Sequence, residues 1–397
     1  MRTLVAATLV AACVMAMPTA QTPKQIVRSG PDLGLPFSPA VKAGGFIYVS
    51  GAVATDAAGQ VSGDIKAQTA RTLDGIAATL KAAGSRLDNA VSVIVYLKDT
   101  ADFAAMNDVY KGYFSKDPPT RTTLGAPLAL PAALVEISVI AVPDGAERRV
   151  IHPADWVKSP NPYSYGILSG DTLFLSGLVS RNGRDNSTVK GDVTAQTKTV
   201  LDNGAAILHA AGMTWADVVS SRVYLTDSAA FQAMNDVYRP YFTGIMPARA
   251  TVKAALTTPD YLVEITMTAV KGTHEAVTTP GADGRPGPAN PNLSSAVKVG
   301  NRLWLSGMLG NTADNAGNVG AQTTETMTRI GRTLRAAGFD WPHVVEGMVY
   351  LPDVTRFTDM NAVYRDVFKA DFPARTTAGT GLMSAGAAVE IMMLAVK

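Results

Sequence analysis

Cysteine, histidine and long apolar runs are scarce in this chain of 397 residues. Its single cysteine is Cys13, so no disulfide can form within the chain. Its four histidines show no ligand-like spacing, which argues against a metal site or a histidine-based catalytic triad. We predict no metal, no cofactor and, because no later segment approaches about 18 consecutive apolar residues, no transmembrane segment.

A strong charge of either sign is also missing. The formal net charge is +2, and lysine and arginine are scattered along the chain without forming a basic stripe. Sequence-independent binding to nucleic acid therefore lacks its electrostatic basis, and we predict no nucleic-acid partner. The apolar fraction of 47% is ordinary for a globular protein with substantial cores.

Residues 1–20 have the composition of a secretory signal: one arginine, a short apolar run, and small residues before Gln21. Cleavage near Ala20 would give a periplasmic or secreted protein without a thiol. The residues before Cys13, Val10 to Ala12, also resemble a bacterial lipobox, so an alternative is a protein that is lipid-anchored through Cys13.

The same motifs occur three times, at steps of 128 and 126 residues. Val-Tyr-Leu stands at 95–97, 223–225 and 349–351, and Met-Asn at 106, 234 and 360 begins a second shared motif. A period of this length is a whole domain with its own core. We predict domains at 24–147, 148–275 and 292–397, with a Gly/Pro-rich linker at 276–291.

Each copy has the pattern of an α+β domain. In the first copy, apolar periodicity predicts a strand at 46–53, a helix at 65–83, a strand at 91–97, a helix over 103–114 and strands at 121–126 and 134–142. This order predicts a mainly antiparallel sheet with two helices on one face. Because the other face is also apolar, we expect the copies to pack as a pseudo-threefold single-chain trimer.

Two charged positions recur in every copy, separated by 15 residues each time. They are Arg121, Arg249 and Arg375, and Glu136, Glu264 and Glu390. We expect a hairpin to bring the two near each other. An arginine can hold a carboxylate bidentately and a nearby glutamate can orient or deprotonate water, but the same spacing also fits a simple buried ion pair.

The surrounding motifs closely resemble the Rid family, the reactive intermediate deaminases, also called YjgF or endoribonuclease L-PSP. The resemblance covers nearly all of the chain after the leader. It rests on the Pro-Phe or Pro-Tyr turn at 36 and 162, on Ser-Gly at 50, 176 and 306, on Ala-Gln-Thr at 67, and on Pro-Ala-Arg at 247 and 373.

That resemblance implies a chorismate-mutase-like fold, a trimeric arrangement with sites between subunits, and hydrolysis of enamine or imine acids to a 2-keto acid and ammonia. The arginines would hold the substrate carboxylate and the glutamates would position water. The pocket would be lined by Phe37, Tyr163, Ser50, Ser176, Ser306, Asn107, Asn235 and Asn361. We expect the chain to act as a monomer that is an intramolecular trimer.

The copies differ at the aromatic pocket position, which is Phe37, Tyr163 or Leu293. Only a phenol can hydrogen-bond a ligand, so we expect one good cleft and not three. Two further alternatives stay open: a non-catalytic module that binds small carboxylates or partner proteins, and an RNA-cleaving protein, which follows from the older family name. For the asparagines, a side chain that satisfies backbone groups at the copy interface is an equally open interpretation. The serines could likewise be turn residues at the strand ends, with the glycine that follows required by the backbone.

Overall fold

The computed structural model describes residues 24–32, 34–56 and 58–397 and contains three sheets. The predicted signal and the lipobox lie outside the described residues. No helix in the described ranges is long and apolar enough to cross a membrane. The first copy comprises β1 (Gln25–Val27), β2 (Ala40–Ala43), β3 (Phe46–Ala52), α1 (Ile65–Ala82), β4 (Ala90–Leu97), α2 (Phe103–Tyr113), β5 (Thr120–Gly125) and β6 (Val135–Ala141).

The other two copies repeat this order, each with one additional two-residue strand. The second comprises β7 (Arg149–Ile151), β8 (Gly166–Ser169), β9 (Thr172–Leu175), α3 (Val193–Ala210), β10 (Val218–Leu225), α4 (Phe231–Tyr238), β11 (Ala248–Lys253), β12 (Ala255–Leu256) and β13 (Val263–Val270). The third comprises β14 (His274–Val277), β15 (Ala296–Val299), β16 (Arg302–Leu309), α5 (Val319–Ala336), β17 (Val344–Leu351), α6 (Phe357–Phe368), β18 (Ala374–Gly379), β19 (Gly381–Leu382) and β20 (Glu390–Val396). Strand β14 belongs to the third sheet although it lies before most of the Gly/Pro-rich stretch.

The first helix of each copy has clear start and stop signals. In α1, the Asp64 side chain accepts a hydrogen bond from the Ala67 amide, which satisfies one of the unpaired donors of the first turn. Leu73, Ile76 and Leu80 bury one stripe, and Gly84 follows with a positive φ of 78°. The sequence-based prediction of this helix is confirmed.

The sheet order corrects the predicted hairpin. In the first copy the order is β1-β2-β3-β6-β4-β5, so β4 lies between β5, which carries Arg121, and β6, which carries Glu136. Strands β4 and β5 are parallel, while β4 and β6 are antiparallel. The arginine and glutamate of one copy therefore lie on strands that are not neighbours, and the prediction that a hairpin pairs them is wrong.

Strand pairs and one isolated bridge join the three copies into a closed ring. Strand β12 of the second copy pairs with β5 of the first, and β19 of the third copy pairs with β11 of the second. An isolated bridge from Leu128 of the first copy to Ala378 of the third closes the circle. Two sheets thus gain a short strand from the next copy, and the third sheet is joined to the first copy by a single bridge. This arrangement agrees with the pseudo-threefold ring predicted from the sequence.

Both faces of each sheet are buried. The α1 and α2 face of the first copy forms one core around residues such as Leu73 and Val95, and the other copies have equivalent cores. Two more apolar clusters contain residues from all three copies. Met392 and Leu394 of β20 lie in these shared clusters.

An ion pair breaks the symmetry near the centre of the ring. Arg222 and Glu346 approach within 3.8 Å, beside a small cavity of about 40 Å³. In the other two copies, Ile94 and Met348 stand at the position of Arg222. Ser92 and Ser220 stand at the position of Glu346. Burial alone would lower the pKa of Arg222, but the Glu346 carboxylate raises it above its ordinary value. The pair links the second copy to the third.

Changing Glu346 to Ser should lower the free energy of unfolding by about 2–4 kcal/mol, because it leaves Arg222 as a mostly buried cation without its partner. The double variant Arg222→Ile with Glu346→Ser restores the residues of the first copy, and we expect it to recover most of the loss. Denaturant titration of the two variants measures this. As a control, Lys198→Ala breaks the exposed pair with Asp202 and should change the free energy of unfolding by about 0.5 kcal/mol at most. An equal loss in the single and double variants would contradict the prediction.

Candidate active site

Each arginine lies at a boundary between two copies. The charged groups meet at three such boundaries, and we refer to each as the cleft of its arginine, after the sites between subunits that the family resemblance implies. The Arg121 cleft joins the first copy to Ser176 and Glu264 of the second, the Arg249 cleft joins the second to Ser306 and Glu390 of the third, and the Arg375 cleft joins the third to Ser50 and Glu136 of the first. The charged groups therefore meet in pairs from different copies.

The repeated serines connect the two sides of each cleft. Ser176 Oγ accepts a hydrogen bond from the Arg121 amide at 2.9 Å and donates to the Ser164 carbonyl at 2.7 Å. Ser306 and Ser50 make the same bridges to Arg249 and Arg375. The serine hydroxyls thus fix the arginine-bearing strand against the neighbouring copy.

Aromatic rings hold the guanidinium groups. The Arg121 Cζ lies 4.7 Å from the centroid of Tyr110, and Arg249 and Arg375 lie 4.8 Å from the equivalent rings, Tyr238 and Tyr364. Such stacking stabilises a cation that has been removed from water. Tyr110 is fully buried in the core of the first copy, and it also supports the candidate site.

The guanidinium groups keep free donors although they are buried. Arg121 is only 5% exposed, and its guanidinium donates no hydrogen bond within the described parts of the chain. One or two buried N–H groups of Arg249 and Arg375 likewise have no partner among the described residues. Burial lowers the pKa of these arginines, to about 10 for Arg375. A guanidinium group is the side chain that keeps its charge most firmly at neutral pH. An unpartnered buried donor of this kind favours an anionic ligand.

The facing glutamates are buried carboxyl groups with strongly raised pKa values. Burial raises the pKa of Glu264 from 4.5 to about 8, against the opposing effects of a hydrogen bond from the Thr123 amide and the charge of Arg121. Burial likewise raises the pKa of Glu390 to about 8 and that of Glu136 to about 7, while the facing arginine and the main chain oppose the increase. None of the three Arg–Glu pairs across the clefts is an ion pair within 4.0 Å, so the alternative of a simple closed salt bridge is not supported.

The glycine of each Ser-Gly motif makes space for the carboxylate. A methyl group at Gly177 would overlap Glu264 Oε1, and the same holds for Gly51 with Glu136 and for Gly307 with Glu390. None of these glycines has a positive φ. The repeated glycine is therefore a requirement of the glutamate side chain and not of the backbone conformation.

The aromatic position differs among the clefts as the sequence indicated. The Tyr163 ring lies 5.9 Å from the Arg121 Cζ, and the Phe37 ring lies 5.2 Å from the Arg375 Cζ. Leu293 precedes Ser294, whose amide donates to the Pro247 carbonyl next to the Arg249 strand. Only the Arg121 cleft has a phenol at this position.

The asparagines do not share one role. Asn235 Oδ1 accepts a hydrogen bond from Arg249 Nη2 at 2.7 Å, whereas Asn107 Nδ2 donates to Asn161 Oδ1 of the second copy at 3.2 Å. Buried Oδ1 atoms of Asn107 and Asn361 have no partner in the described residues. Sequence reasoning missed the main chain of Thr123, Thr251 and Thr377, which faces the glutamates and opposes the rise of their pKa values; no signal marks these positions, because the group involved is main chain.

Within the described residues, no group of three or more histidine, cysteine, aspartate or glutamate side chains is arranged to hold a metal ion. The charged and polar side chains that the site does bring together are the arginine, the glutamate and, in the Arg121 cleft, the phenol. Together they can bind a small carboxylate and move a proton at neutral pH.

Raising the pH from 5 to 8.5 should lower the free energy of unfolding. The three glutamates bind protons more tightly in the folded chain than in the unfolded chain, so their contribution is complete below about pH 4.5 and is lost as the pH rises through 7–8. Each group contributes a slope of at most about 1.4 kcal/mol per pH unit. Denaturant titrations across this range measure the slope. A triple Glu→Gln variant with an unchanged slope would contradict the assignment.

Comparison with known proteins identifies the class of protein that carries this arrangement. The family model described as "Endoribonuclease L-PSP" matches three times, at residues 29–143, 155–271 and 284–397. The chain therefore belongs to this family, in three tandem copies, and the resemblance found in the sequence is confirmed.

Relatives of the chain span one copy each. A RutC family protein from Sulfurisphaera tokodaii is 42% identical over 115 residues, which are 29% of this chain and 92% of the relative. The goat protein named 2-iminobutanoate/2-iminopropanoate deaminase is 37% identical over 125 residues, or 32% of this chain and 91% of the relative. The solved structure of the Escherichia coli YjgF gene product is 31% identical, covers 31% of this chain and 98% of its own, and has a TM-score of 0.30. The family thus includes a protein named as an imine deaminase.

Proposed function

We propose that this chain hydrolyses small 2-imino and 2-enamino acids to ammonia and a 2-keto acid in the clefts between its copies. The observation that supports this most is the cross-copy combination of an unpartnered buried guanidinium and a carboxyl group whose pKa lies near neutrality. The name of the goat relative agrees with this reaction class.

In the proposed reaction, Arg121 binds the substrate carboxylate through its free N–H groups. The planar fork suits a carboxylate bidentately, and the buried setting strengthens the interaction. Tyr110 below the guanidinium and Ser176 at its amide fix the position of the arginine. Substrate binding would therefore orient the imine carbon relative to Glu264.

Glu264 then acts as the base for water. The ionised carboxylate takes a proton from water as its oxygen attacks the imine carbon, and the C=N electron pair moves to nitrogen. Glu264 returns this proton to the nitrogen, which gives a carbinolamine with a hydroxyl and an amino group on the same carbon. A second proton, taken from that hydroxyl and delivered to the nitrogen, lets the C–N bond break: ammonia leaves and the O–H electron pair forms the keto C=O bond. An imine carbon is already electrophilic, so no covalent nucleophile is required.

The Tyr163 phenol, the serines and the asparagines would line the pocket, with the Arg121 cleft as the most competent of the three. We also propose the domain limits 24–147, 148–275 and 292–397, and a monomer that acts as an intramolecular trimer. The closed ring of strand pairs supports this assembly. Export to the periplasm or medium rests on residues 1–20 alone and stays a prediction.

The test is an assay of the mature chain with 2-iminopropanoate, generated in the cuvette by an amino acid oxidase. We expect the release of pyruvate and ammonia to exceed the spontaneous rate, in proportion to protein concentration. If the chain binds pyruvate but does not accelerate hydrolysis, it is a carboxylate-binding module and not a hydrolase. The absence of both pyruvate binding and acceleration would overturn the proposal.

A further inference from the structure

A second arginine lies beside the Arg121 cleft. Arg181 follows Gly177 by four residues, and its Nε donates a hydrogen bond of 2.5 Å to the Tyr261 hydroxyl. The Arg181 Cζ also lies 5.7 Å from the centroid of the Tyr261 ring. Tyr261 is only 2% exposed, so it fixes the guanidinium against the body of the second copy.

The phenol of Tyr163 connects Arg181 to the cleft. Its ring lies 5.9 Å from the Arg121 Cζ and 5.8 Å from the Tyr165 ring. Burial raises the pKa of Tyr163, while a hydrogen bond with Ser159 and the positive charges of Arg181 and Arg121 oppose this increase. The Tyr165 hydroxyl hydrogen-bonds Asn186 Oδ1 at 3.0 Å, and Asn186 lies in the turn that the Arg181–Thr188 bridge closes. The turn that carries Arg181 therefore packs beside Tyr163.

Arg181 has no acidic partner among the described residues. Its neighbour in the same loop, Arg184, pairs with Asp155 at 3.0 Å, whereas Arg181 forms no ion pair there. Arg181 is half-buried, and two of its nitrogens remain after the bond to Tyr261. A fixed, uncompensated guanidinium at the edge of a cleft raises the local positive potential and attracts a second anionic group.

The other two clefts lack this feature. Thr55 and Asn311 stand at the Arg181 position, four residues after Gly51 and Gly307. Ala133 and Ala387 stand at the Tyr261 position, 12 residues after their arginines. The cation and its support thus occur together, and only beside the cleft that also has the phenol.

We propose that Arg181 makes the Arg121 cleft selective for imino acids with a second carboxylate in the side chain. Arg121 holds the carboxylate next to the imine carbon, and Arg181 holds the distal one past Tyr163. This inference rests on the proposed function and names the substrate class of that site. The Arg249 and Arg375 clefts would lack this preference.

The test compares two substrates in parent and variant chains. Arg181→Asn introduces the residue of the third copy and leaves Arg121 and Glu264 unchanged. We expect its kcat/KM for 2-iminoglutarate to fall about 10-fold or more, since a charge-assisted hydrogen bond is lost, while kcat/KM for 2-iminopropanoate changes less than about 2-fold. Arg181→Lys, which keeps the charge, should retain part of the preference.

Arg184→Asn is the matched control, because it removes a cation from the same loop that is already paired with Asp155. It should affect neither substrate. An equal change for both substrates in Arg181→Asn, or no change for either, would overturn the inference.

Binding of the products separates this inference from the proposed function. Isothermal titration with 2-oxoglutarate and pyruvate needs no turnover. If the chain accelerates no hydrolysis but binds 2-oxoglutarate more tightly than pyruvate, and Arg181→Asn removes that difference, the selectivity stands and the hydrolase does not. If hydrolysis occurs but the parent shows no preference for the dicarboxylate, the selectivity is wrong and the hydrolase stands.

Discussion

Changing Arg121 to Met is expected to lower kcat/KM for 2-iminopropanoate about 100-fold, because two charge-assisted hydrogen bonds to the substrate carboxylate disappear. Methionine keeps an apolar contact with the Tyr110 ring, so the variant should remain folded. Steady-state assays of the parent and the variant, with near-ultraviolet circular dichroism as a check on folding, measure the effect.

Arg249→Met and Arg375→Met are the matched controls. In each, the same group is removed from a cleft without a phenol at the aromatic position, and we expect kcat/KM to change less than about 2-fold. A loss of about one third in each of the three variants would show that the clefts are equivalent. That result would contradict the single-cleft prediction but would keep the role of the arginine.

Changing Glu264 to Gln is expected to lower kcat about 100-fold or more, since a positioned base typically contributes 10²–10⁴-fold. The amide retains the shape of the side chain and can still accept a hydrogen bond from the Thr123 amide. Binding of pyruvate should therefore persist while turnover is lost. Glu136→Gln and Glu390→Gln serve as controls in the other clefts.

The pH profile gives an independent measurement of the same group. With Glu264 as the base, kcat/KM of the parent should rise with pH and level off above about 8, where the carboxyl group is ionised. The Gln variant should lose this inflection. A profile that falls between pH 6 and 8 would show that the protonated acid is the active form.

Much of the fold could be predicted because the repeat makes each local signal visible three times. Gly84, Leu80 of the helix stripe and the motif around Tyr96 all recur at matching positions, and the residue that caps the helix is Asp64, Asp192 or Asn318. Local propensity and burial agree at these positions, so helices and strands follow from the pattern. The recurrence of arginine and glutamate also drew attention to the residues that the structure brings together.

Strand order could not be predicted from the same signals. Arg121 and Glu136 are close in sequence, yet β4 lies between their strands, because the parallel pairing of β4 with β5 depends on the whole sheet. The glutamate that faces Arg121 is Glu264 of the next copy. Periodicity also cannot distinguish Tyr110 as a core residue from Tyr110 as the support of a cation, since both require burial.

The Arg222–Glu346 pair was visible only as a departure from the repeat. Ile94 and Met348 show that the position is apolar in the other copies, but the sequence does not reveal that these three side chains converge on one axis. Only the assembled ring places a cation of one copy opposite an acid of another.

Covalent linkage changes what an axis of symmetry permits. In an assembly of three identical subunits, a guanidinium at the axis would face two images of itself, and every substitution would alter all three sites together. Here the Arg222–Glu346 ion pair forms at one copy boundary. Tyr163 and Arg181 also occur in one copy each, with other residues at the matching positions. A gene that encodes the whole ring can therefore mutate one interface while the other two are preserved, and a protein engineer has the same freedom.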